Sequence, residues 1–322
     1  MWTKNRKPYG ELGLMDFQVL FPNENTCWQY LSKMRWSKGL TCPKCQSQRI
    51  GWIKTRRLYH CRVCFWQMSV TAGTTFHRSR IPLRKWFWAI WWMATSKKGS
   101  SALNLQRQLG LGSYRAAWLL AHKIRRAMIN REELYQLKGT VEVDEIHVGG
   151  TQPTEKLIKM FHKPRFLKSK TPLLMAVEET TTGRPRYARI EGLPNITGEG
   201  IVPIIEKRIA KGSTLKSDGA GVYKVAAQKG YGLDQSSYSS SPYKTREHLQ
   251  WVNTLTANLK RFLLGTHHSV HPKYRKAYAA EFAYRFNRRY WPKQAFDRLL
   301  FACLQNEPVP LKAIKGPGPK IG

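Results

Sequence analysis

Residues 140–148 read Thr-Val-Glu-Val-Asp-Glu-Ile-His-Val and are followed by Gly149-Gly150. The β-branched and alternating residues of this stretch predict a strand that ends at the two glycines. Apolar residues fall on both of its faces, so we expect the strand to be buried on both sides with Asp144 in its middle. A buried carboxylate is costly unless it is paired or bound to a metal. The stretch therefore predicts a sheet with a functional acid at its centre.

The residues after this strand predict the rest of a sheet domain. A basic segment at 156–170 and a Ser-rich loop at 235–241 interrupt it. The predicted elements are a hairpin at 173–178 and 184–190, a helix at 198–211, a strand at 213–219 and an amphipathic helix at 246–264. Asp218 lies at the end of the second single strand. Strand, hairpin, helix and strand with acids on the first and last strands outline a ribonuclease-H-like α/β domain.

Before this domain, two cysteine pairs have the spacing of a zinc ribbon. Cys42-Pro-Lys-Cys45 and Cys61-Arg-Val-Cys64 are fifteen residues apart, and the stretch between them alternates like a small β-ribbon. Four thiolates complete a tetrahedral site and leave no open position, so we predict one structural Zn²⁺. Paired disulfides are the alternative, which a reducing cytoplasm disfavours.

Three helices are expected between the ribbon and the sheet domain, at 81–96, 102–109 and 114–130, with the turn Gly110-Leu111-Gly112 before the last. A helix, a short glycine-containing turn and a longer basic helix are typical of a helix-turn-helix DNA reader. An ordinary three-helix packing unit is the alternative. The predicted DNA contacts on the last helix are Arg115, Lys123, Arg125 and Arg126.

The charge of the chain favours a polyanionic partner. Among 322 residues, 55 are Lys or Arg and 20 are Asp or Glu, which gives a formal net charge of +35. A chain this basic repels itself, so we expect double-stranded DNA as its partner rather than a generic basic surface. A hydrophobic content of 42% excludes a wholly disordered chain.

No membrane contact is expected. The longest apolar run, residues 86–94, is far shorter than the ~20 residues that span a bilayer, and the N-terminus has no apolar core of a signal peptide. We therefore expect a cytoplasmic protein of multidomain α+β class. Its predicted parts are a helical segment at 1–37, the zinc ribbon at 38–72, the helix-turn-helix at 78–132, the catalytic domain at 138–303 and a basic tail at 304–322.

Four strings in this order resemble the ISXO-like insertion-sequence transposases of the wider DDE group. They are VDEIHVGG at 143–150, SDGAGVYK at 217–224, HLQWVN with LKRFLLGTHHSV within 248–270, and EFAYRFNRR at 281–289. The resemblance covers nearly the whole chain, since such proteins also begin with a zinc ribbon and a helix-turn-helix. It implies a prokaryotic, nucleoid-associated transposase that acts as a homodimer or higher homo-oligomer. Such an enzyme binds the terminal inverted repeats of its element, cleaves there and transfers the strands to target DNA.

The resemblance also implies a catalytic set: two Asp, a third residue that is Glu or Asn, and a Lys seven residues later. A His stands five residues before the third member. In this chain the pattern falls on Asp144, Asp218, Asn253 and Lys260, with His248 as a possible active-site neighbour and Arg261 as a further DNA contact. The chain thus resembles the D-D-N-K branch of the group.

The chemistry of these residue types agrees with that set. Phosphodiester cleavage and strand transfer use two hard cations about 3.5–4 Å apart, and carboxylates are suitable ligands for Mg²⁺ or Mn²⁺. We expect Asp144 to bridge two such ions, Asp218 to hold one, and Asn253 to add a neutral carbonyl oxygen. Lys260, two helical turns after Asn253, is expected to reach a phosphate. The acids considered and not favoured as ligands are Glu145, Glu247 and Glu281.

A second hypothesis is a catalytically impaired, transposase-derived DNA-binding protein in which Asn253 marks a lost metal ligand. The presence of Asp144, Asp218 and Lys260 favours the enzyme. A zinc-ribbon transcription factor, a third hypothesis, does not explain the second half of the chain.

Overall fold

The computed structural model describes residues 12–149, 170–236, 247–268 and 270–316. The predicted basic segment at 156–170 lies outside this part of the chain except for Lys170, and so does most of the Ser-rich loop. The chain divides into two compact units, one formed by residues up to 130 and from 291 onward, the other by residues 131–290. Within the described residues, no helix is long and apolar enough to cross a membrane.

The elements of the described residues are numbered in chain order. The helices are α1 (Leu14–Leu20), α2 (Glu24–Arg35), α3 (Leu83–Thr95), α4 (Ala102–Gln108), α5 (Tyr114–Glu132), α6 (Gly198–Arg208), α7 (Val222–Ala227), α8 (Gln250–Phe262), α9 (Arg275–Asn287), α10 (Ala295–Gln305) and α11 (Leu311–Lys315). The strands are β1 (Ile50–Ile53), β2 (Leu58–Cys61), β3 (Gln67–Met68), β4 (Thr140–Val148), β5 (Thr171–Glu179), β6 (Pro185–Gly192), β7 (Thr214–Asp218) and β8 (Gly232–Ser236). A π-helical turn, Leu263–His267, continues α8.

The first unit contains the ribbon and the predicted helices. β1, β2 and β3 form an antiparallel sheet, with Ile50 opposite Cys61, which confirms the predicted β-ribbon. The helices α3, α4 and α5 confirm the three helices expected before the sheet domain. Ser101 Oγ accepts a hydrogen bond from the backbone N–H of Asn104, and Ser113 Oγ accepts one from Ala116, so each serine caps the helix that follows it.

Helix α10, from the second stretch of chain in this unit, completes its aromatic core. Phe296 makes edge or tilted contacts with Phe17, Phe21 and Phe87 at ring-centroid distances of 5.3, 5.4 and 5.5 Å. Tyr30 Oη donates a hydrogen bond of 2.6 Å to the Asp297 carboxylate. The predicted boundary of the catalytic domain at 303 therefore differs from the structure, in which the second unit ends at Tyr290. The apolar face of α10 resembles any core helix in the sequence, which gives no sign of the unit to which it belongs.

The second unit is built on a five-stranded sheet in the order β6-β5-β4-β7-β8. β4 is antiparallel to β5, and β5 to β6, whereas β4, β7 and β8 run parallel to one another. The predicted hairpin is β5–β6, and the predicted helix and strand after it are α6 and β7. This arrangement confirms the mixed α and β organisation expected from the sequence.

Helices cover both faces of this sheet. Val141 and Val143 of β4 pack in one apolar cluster with residues of α6 and α7, including Ile205 and Tyr223. Ile146 and Val148 pack in a second cluster with residues of α8 and α9. β4 is thus buried on both sides, as predicted, and the even-numbered residues of the strand face α8. Asp144 is one of these even-numbered residues.

Candidate active site

Asp144 and Asp218 lie on neighbouring parallel strands. The register pairs Glu142 of β4 with Lys216 of β7, so each aspartate stands two residues further along its own strand. Leu215 packs in the cluster of α6 and α7, which turns Lys216 and Asp218 to the face of α8. Asp218 Oδ1 accepts a 3.0 Å hydrogen bond from the backbone N–H of Ala220, in the turn after β7. The two predicted acids therefore share one face and one edge of the sheet.

The electrostatics of Asp144 show that it shares its surroundings with other charged groups. Burial, together with the charges of Glu145 and Asp218, raises the pKa of Asp144 to about 7, although the charge of Lys260 opposes the shift. Lys260 lies on the exposed side of α8, one helical repeat of seven residues after Asn253. The structure thus brings Asp144, Asp218 and Lys260 into one electrostatic site.

Helix α8 carries Asn253 and is amphipathic, as predicted. Its buried residues Val252, Leu255 and Leu259 pack under the sheet, and Asn253 and Lys260 lie on the exposed side. Residues seven apart on a helix share a face, so Asn253 and Lys260 point in similar directions. The described part of the helix begins four residues later than the predicted start at 246.

Glu142 is a residue that the sequence reasoning missed. Its Oε2 accepts hydrogen bonds from the backbone N–H groups of Trp251 at 2.8 Å and Val252 at 2.7 Å. The first N–H groups of a helix have no partner within it, so this carboxylate caps α8 from the strand. Glu142 is two residues from Asp144 on the same strand face, and Asn253 directly follows Val252. The cap therefore holds the start of α8, with Asn253, beside the part of β4 that carries Asp144.

Two further groups surround this cap. Burial and a hydrogen bond with Glu179 raise the pKa of Glu142 to about 8, although the bond from Val252 and the charge of Lys216 oppose the shift. Lys216 Nζ lies 3.0 Å from Glu179 Oε1. A signal in the sequence was available, because Glu142 alternates onto the same face as Asp144 and a buried carboxylate requires donors.

The other candidate acids and the histidine have different partners. Glu145 accepts a 2.6 Å hydrogen bond from the buried Tyr223 hydroxyl on the opposite face of the sheet. Glu281 is fully buried and lies 3.9 Å from Arg285, four residues later on α9. His248 Nε2 lies 3.1 Å from the backbone oxygen of Asp234 on β8. Glu145 therefore turns away from the aspartate pair, and His248 contacts the edge strand.

The donors of this site suit a hard divalent cation. The charge of Asp218 raises the pKa of Asp144, and a cation between two such carboxylates would relieve this repulsion. Carboxylate and amide oxygens are hard donors, so Asn253 offers a further oxygen of the same type. Among the described residues, the acidic side chains here do not form a cluster of three.

In the first unit, the four cysteines of the ribbon converge. Their sulfur atoms all lie within 4.8 Å of one another, with separations of 3.4 Å for Cys42–Cys64 and 3.5 Å for Cys45–Cys61. A tetrahedral Zn²⁺ with ~2.3 Å bonds to sulfur requires sulfur atoms about 3.8 Å apart. The donor set therefore fits a structural zinc ion.

The two cysteine turns have the same backbone hydrogen bonds. Gln46 N–H bonds to Cys42 O at 2.8 Å, and Phe65 N–H bonds to Cys61 O at 3.0 Å. The N–H groups of Cys42 and Cys61 bond to the oxygen five residues later, at 2.9 Å in both cases. Hydrogen bonds from the backbone N–H groups of Cys64 and Val63 lower the pKa of the Cys61 thiol to about 6, which favours the thiolate that binds metal. We refer to residues 42–47 and 61–66 as the first and second knuckle.

The predicted DNA contacts of α5 do not all reach the surface. Arg115 and Arg126 are exposed and Lys123 is half-buried, but only 1% of Arg125 is exposed. Arg125 lies on the helix face of Ala121 and Met128, which are both buried. Arg125 is therefore removed from the predicted DNA surface, whereas Arg261 on α8 is exposed as that prediction requires.

Comparisons with known proteins match the zinc ribbon and the sheet domain separately. Residues 136–287 match the family model of the ISXO2-like transposase domain, and residues 22–67 match that of the transposase zinc-ribbon domain. A protein described as an uncharacterized protein in transposable element ISH50 of Halobacterium salinarum is 28% identical over 131 residues. This alignment covers 40% of the chain and 43% of that relative, so the chain matches less than half of the relative's length. No solved structure matches the chain significantly.

Proposed function

With these two domains the chain belongs to the ISXO2-like transposases, and we propose that it moves an insertion sequence by cutting and joining DNA. In this proposal it binds the terminal inverted repeats of the element, cleaves phosphodiester bonds at the ends and transfers the strands to target DNA. The observation that carries the proposal is the placement of Asp144 and Asp218 on one face of adjacent parallel strands, with Lys260 close enough to influence the pKa of Asp144.

The fold supports the same proposal. In the five-stranded sheet, β6, β5 and β4 are antiparallel, and β7 and β8 run parallel to β4. Helices cover both faces, and the central strand carries an acid. This arrangement is consistent with a ribonuclease-H-like catalytic domain. We further propose that α3, α4 and α5 form a helix-turn-helix. Arg115, Lys123 and Arg126 recur at helical spacing on one side of α5, which supports a DNA-facing surface there.

The residues of the site have distinct proposed roles. Asp144, Asp218 and the Asn253 amide would hold Mg²⁺ or Mn²⁺, two ions per site. Bound there, such ions polarise the phosphate and stabilise charge on the attacking and leaving oxygens. Lys260 would bind a phosphate next to the scissile bond, and Arg261 a neighbouring one. Because Asn253 contributes no charge, we expect one cation to bind more weakly than at a site of three carboxylates.

Other parts of the proposal concern partners and location. A net charge of +35 supports binding to double-stranded DNA, and joining two element ends supports a homodimer or higher homo-oligomer on that DNA. We propose a prokaryotic, cytoplasmic protein associated with the nucleoid. The zinc ion of the ribbon would be structural, since four thiolates leave no open position for a substrate.

A strand-transfer assay tests the proposal. Labelled DNA that carries the inverted repeats of the element is incubated with a target plasmid and Mg²⁺. We expect wild-type protein to give cleaved and joined products, and Asp144→Asn to bind the DNA without producing either. The matched control is Glu247→Gln, a change of an exposed acid near α8, which should leave both products unchanged. Products from Asp144→Asn at the wild-type rate would refute the site.

A further inference from the structure

The two zinc knuckles share a backbone but present different side chains. At matched positions the first knuckle has Lys44, Gln46 and Ser47, which are polar. The second has Val63, Phe65 and Trp66, of which 52%, 77% and 48% are exposed. Because the hydrogen bonds of the two turns are the same, the apolar side chains of the second knuckle are not needed to form it.

Phe65 occupies a backbone conformation that its side chain disfavours. Its φ is +58°, equal to that of Gln46 at the matched position. A residue with a Cβ is strained in this left-handed region, and a bulky one is rare there, whereas glycine adopts it freely. The ring gains nothing from burial, since most of it is exposed. A strained and exposed aromatic residue points to a role outside the fold.

Two cationic residues accompany the exposed aromatic side chains. Lys44 Nζ lies 6.0 Å from the centroid of the Trp66 ring, and Arg62 is an exposed neighbour within the second knuckle. Exposed rings next to cations match a ligand that has both flat π faces and negative charge. Unpaired bases of DNA have both, because the bases stack on aromatic side chains while the phosphates pair with Lys and Arg.

We propose that the second knuckle, through Phe65 and Trp66, stacks against unpaired bases of DNA. Lys44 and Arg62 hold the flanking phosphates. The first knuckle, with polar side chains at the same positions, has no such role. This inference rests on the proposed function in one respect, which is that the ligand of the chain is DNA. It adds a base-stacking surface on the ribbon of the first unit.

Substitution by glycine tests the contribution of the ring to DNA binding without weakening the fold. Phe65→Gly removes the ring and relieves the left-handed backbone, so the zinc content and melting temperature of the variant should equal or exceed those of the wild type. Gln46→Gly makes the same backbone change in the first knuckle and serves as the matched control. Fluorescence anisotropy then compares a blunt duplex with the same duplex carrying a single-stranded tail.

We expect Phe65→Gly to bind the tailed DNA about tenfold more weakly than the wild type, the effect typical of one lost stacking contact. Its affinity for the blunt duplex should change little, and Gln46→Gly should bind both DNAs like the wild type. Wild-type affinity of zinc-loaded Phe65→Gly for the tailed DNA would overturn the inference. The same holds if Phe65→Gly loses only self-association in sedimentation, which would make the patch a contact between copies. If the wild type binds neither DNA, the proposed function itself fails.

Discussion

Replacing Asp144 by asparagine should stabilise the protein in the absence of divalent cations. The pKa of Asp144 rises from its ordinary value of 3.8 to about 7 in the folded chain, first through burial and then through Glu145 and Asp218. Between these values the folded state holds a proton that the unfolded state has released. Stability therefore falls as the pH rises from about 4 to 7 and stays low above that range. Asparagine cannot ionise, so the variant avoids this loss.

The size of the effect follows from the pKa difference. About three pKa units at 1.36 kcal/mol each give roughly 4 kcal/mol above pH 7. Asp144 is only partly buried, so solvent screens part of its charge, and we take about 2 kcal/mol as the expected gain. For a folded unit of this size, that corresponds to a rise in melting temperature of about 5 °C. At pH 5 the gain should be less than half of its value at pH 8.

Scanning calorimetry at pH 5 and pH 8 measures the gain. The buffers must contain no chelator, because a chelator would also remove zinc from the ribbon. Adding Mg²⁺ at pH 8 should raise the melting temperature of the wild type but not that of Asp144→Asn. The reasoning is refuted if Asp144→Asn melts at or below the wild-type temperature at pH 8, while the control Glu247→Gln is unchanged.

Four other changes test separate parts of the structure. Glu142→Ala should lower stability by about 2–3 kcal/mol in thermal unfolding, since two helix N–H groups lose their acceptor, whereas Glu142→Gln should keep most stability because one oxygen accepts both bonds. Cys61→Ser should reduce the zinc content from about one ion per chain to none, as measured by metal analysis, and weaken end recognition. Arg126→Ala should weaken DNA binding several-fold and reduce the slope of the logarithm of the binding constant against the logarithm of the salt concentration by about one. An unchanged slope would place α5 away from DNA. Asn253→Ala should cleave slowly at limiting Mg²⁺ and recover in part at high Mg²⁺, and full activity at limiting Mg²⁺ would exclude Asn253 as a ligand.

The sequence was sufficient to predict features that depend on local patterns. Alternation predicted β4 with Asp144 in a strand buried on both sides, and the cysteine spacing predicted the ribbon. The succession of strand, hairpin, helix and strand predicted that Asp218 ends a second strand of the domain, and this strand is β7, next to β4. These features need only the neighbours along the chain.

Features that depend on distant residues were not predictable in this way. The donors to Glu142 come from residues 109 and 110 positions away, so the sequence does not show that this carboxylate caps α8. Tyr30 and Asp297 are 267 positions apart, and their contact is one of those that place α10 in the first unit. Arg125 was assigned to the surface by residue type, but its position on the helix buries it. In each case, tertiary packing outweighs the local signal.

Cleavage by Asp218→Asn tests the central claim most directly, that the aspartates of adjacent strands form a metal-dependent site for cutting DNA. End-labelled inverted-repeat DNA is saturated with wild-type or Asp218→Asn protein, binding is measured in the same reaction, and Mg²⁺ is then added. We predict a specific cut at the element end by the wild type and none by Asp218→Asn, with equal binding by both. Cleavage by Asp218→Asn at the wild-type rate, or no Mg²⁺-dependent cleavage by the bound wild type, would contradict the account.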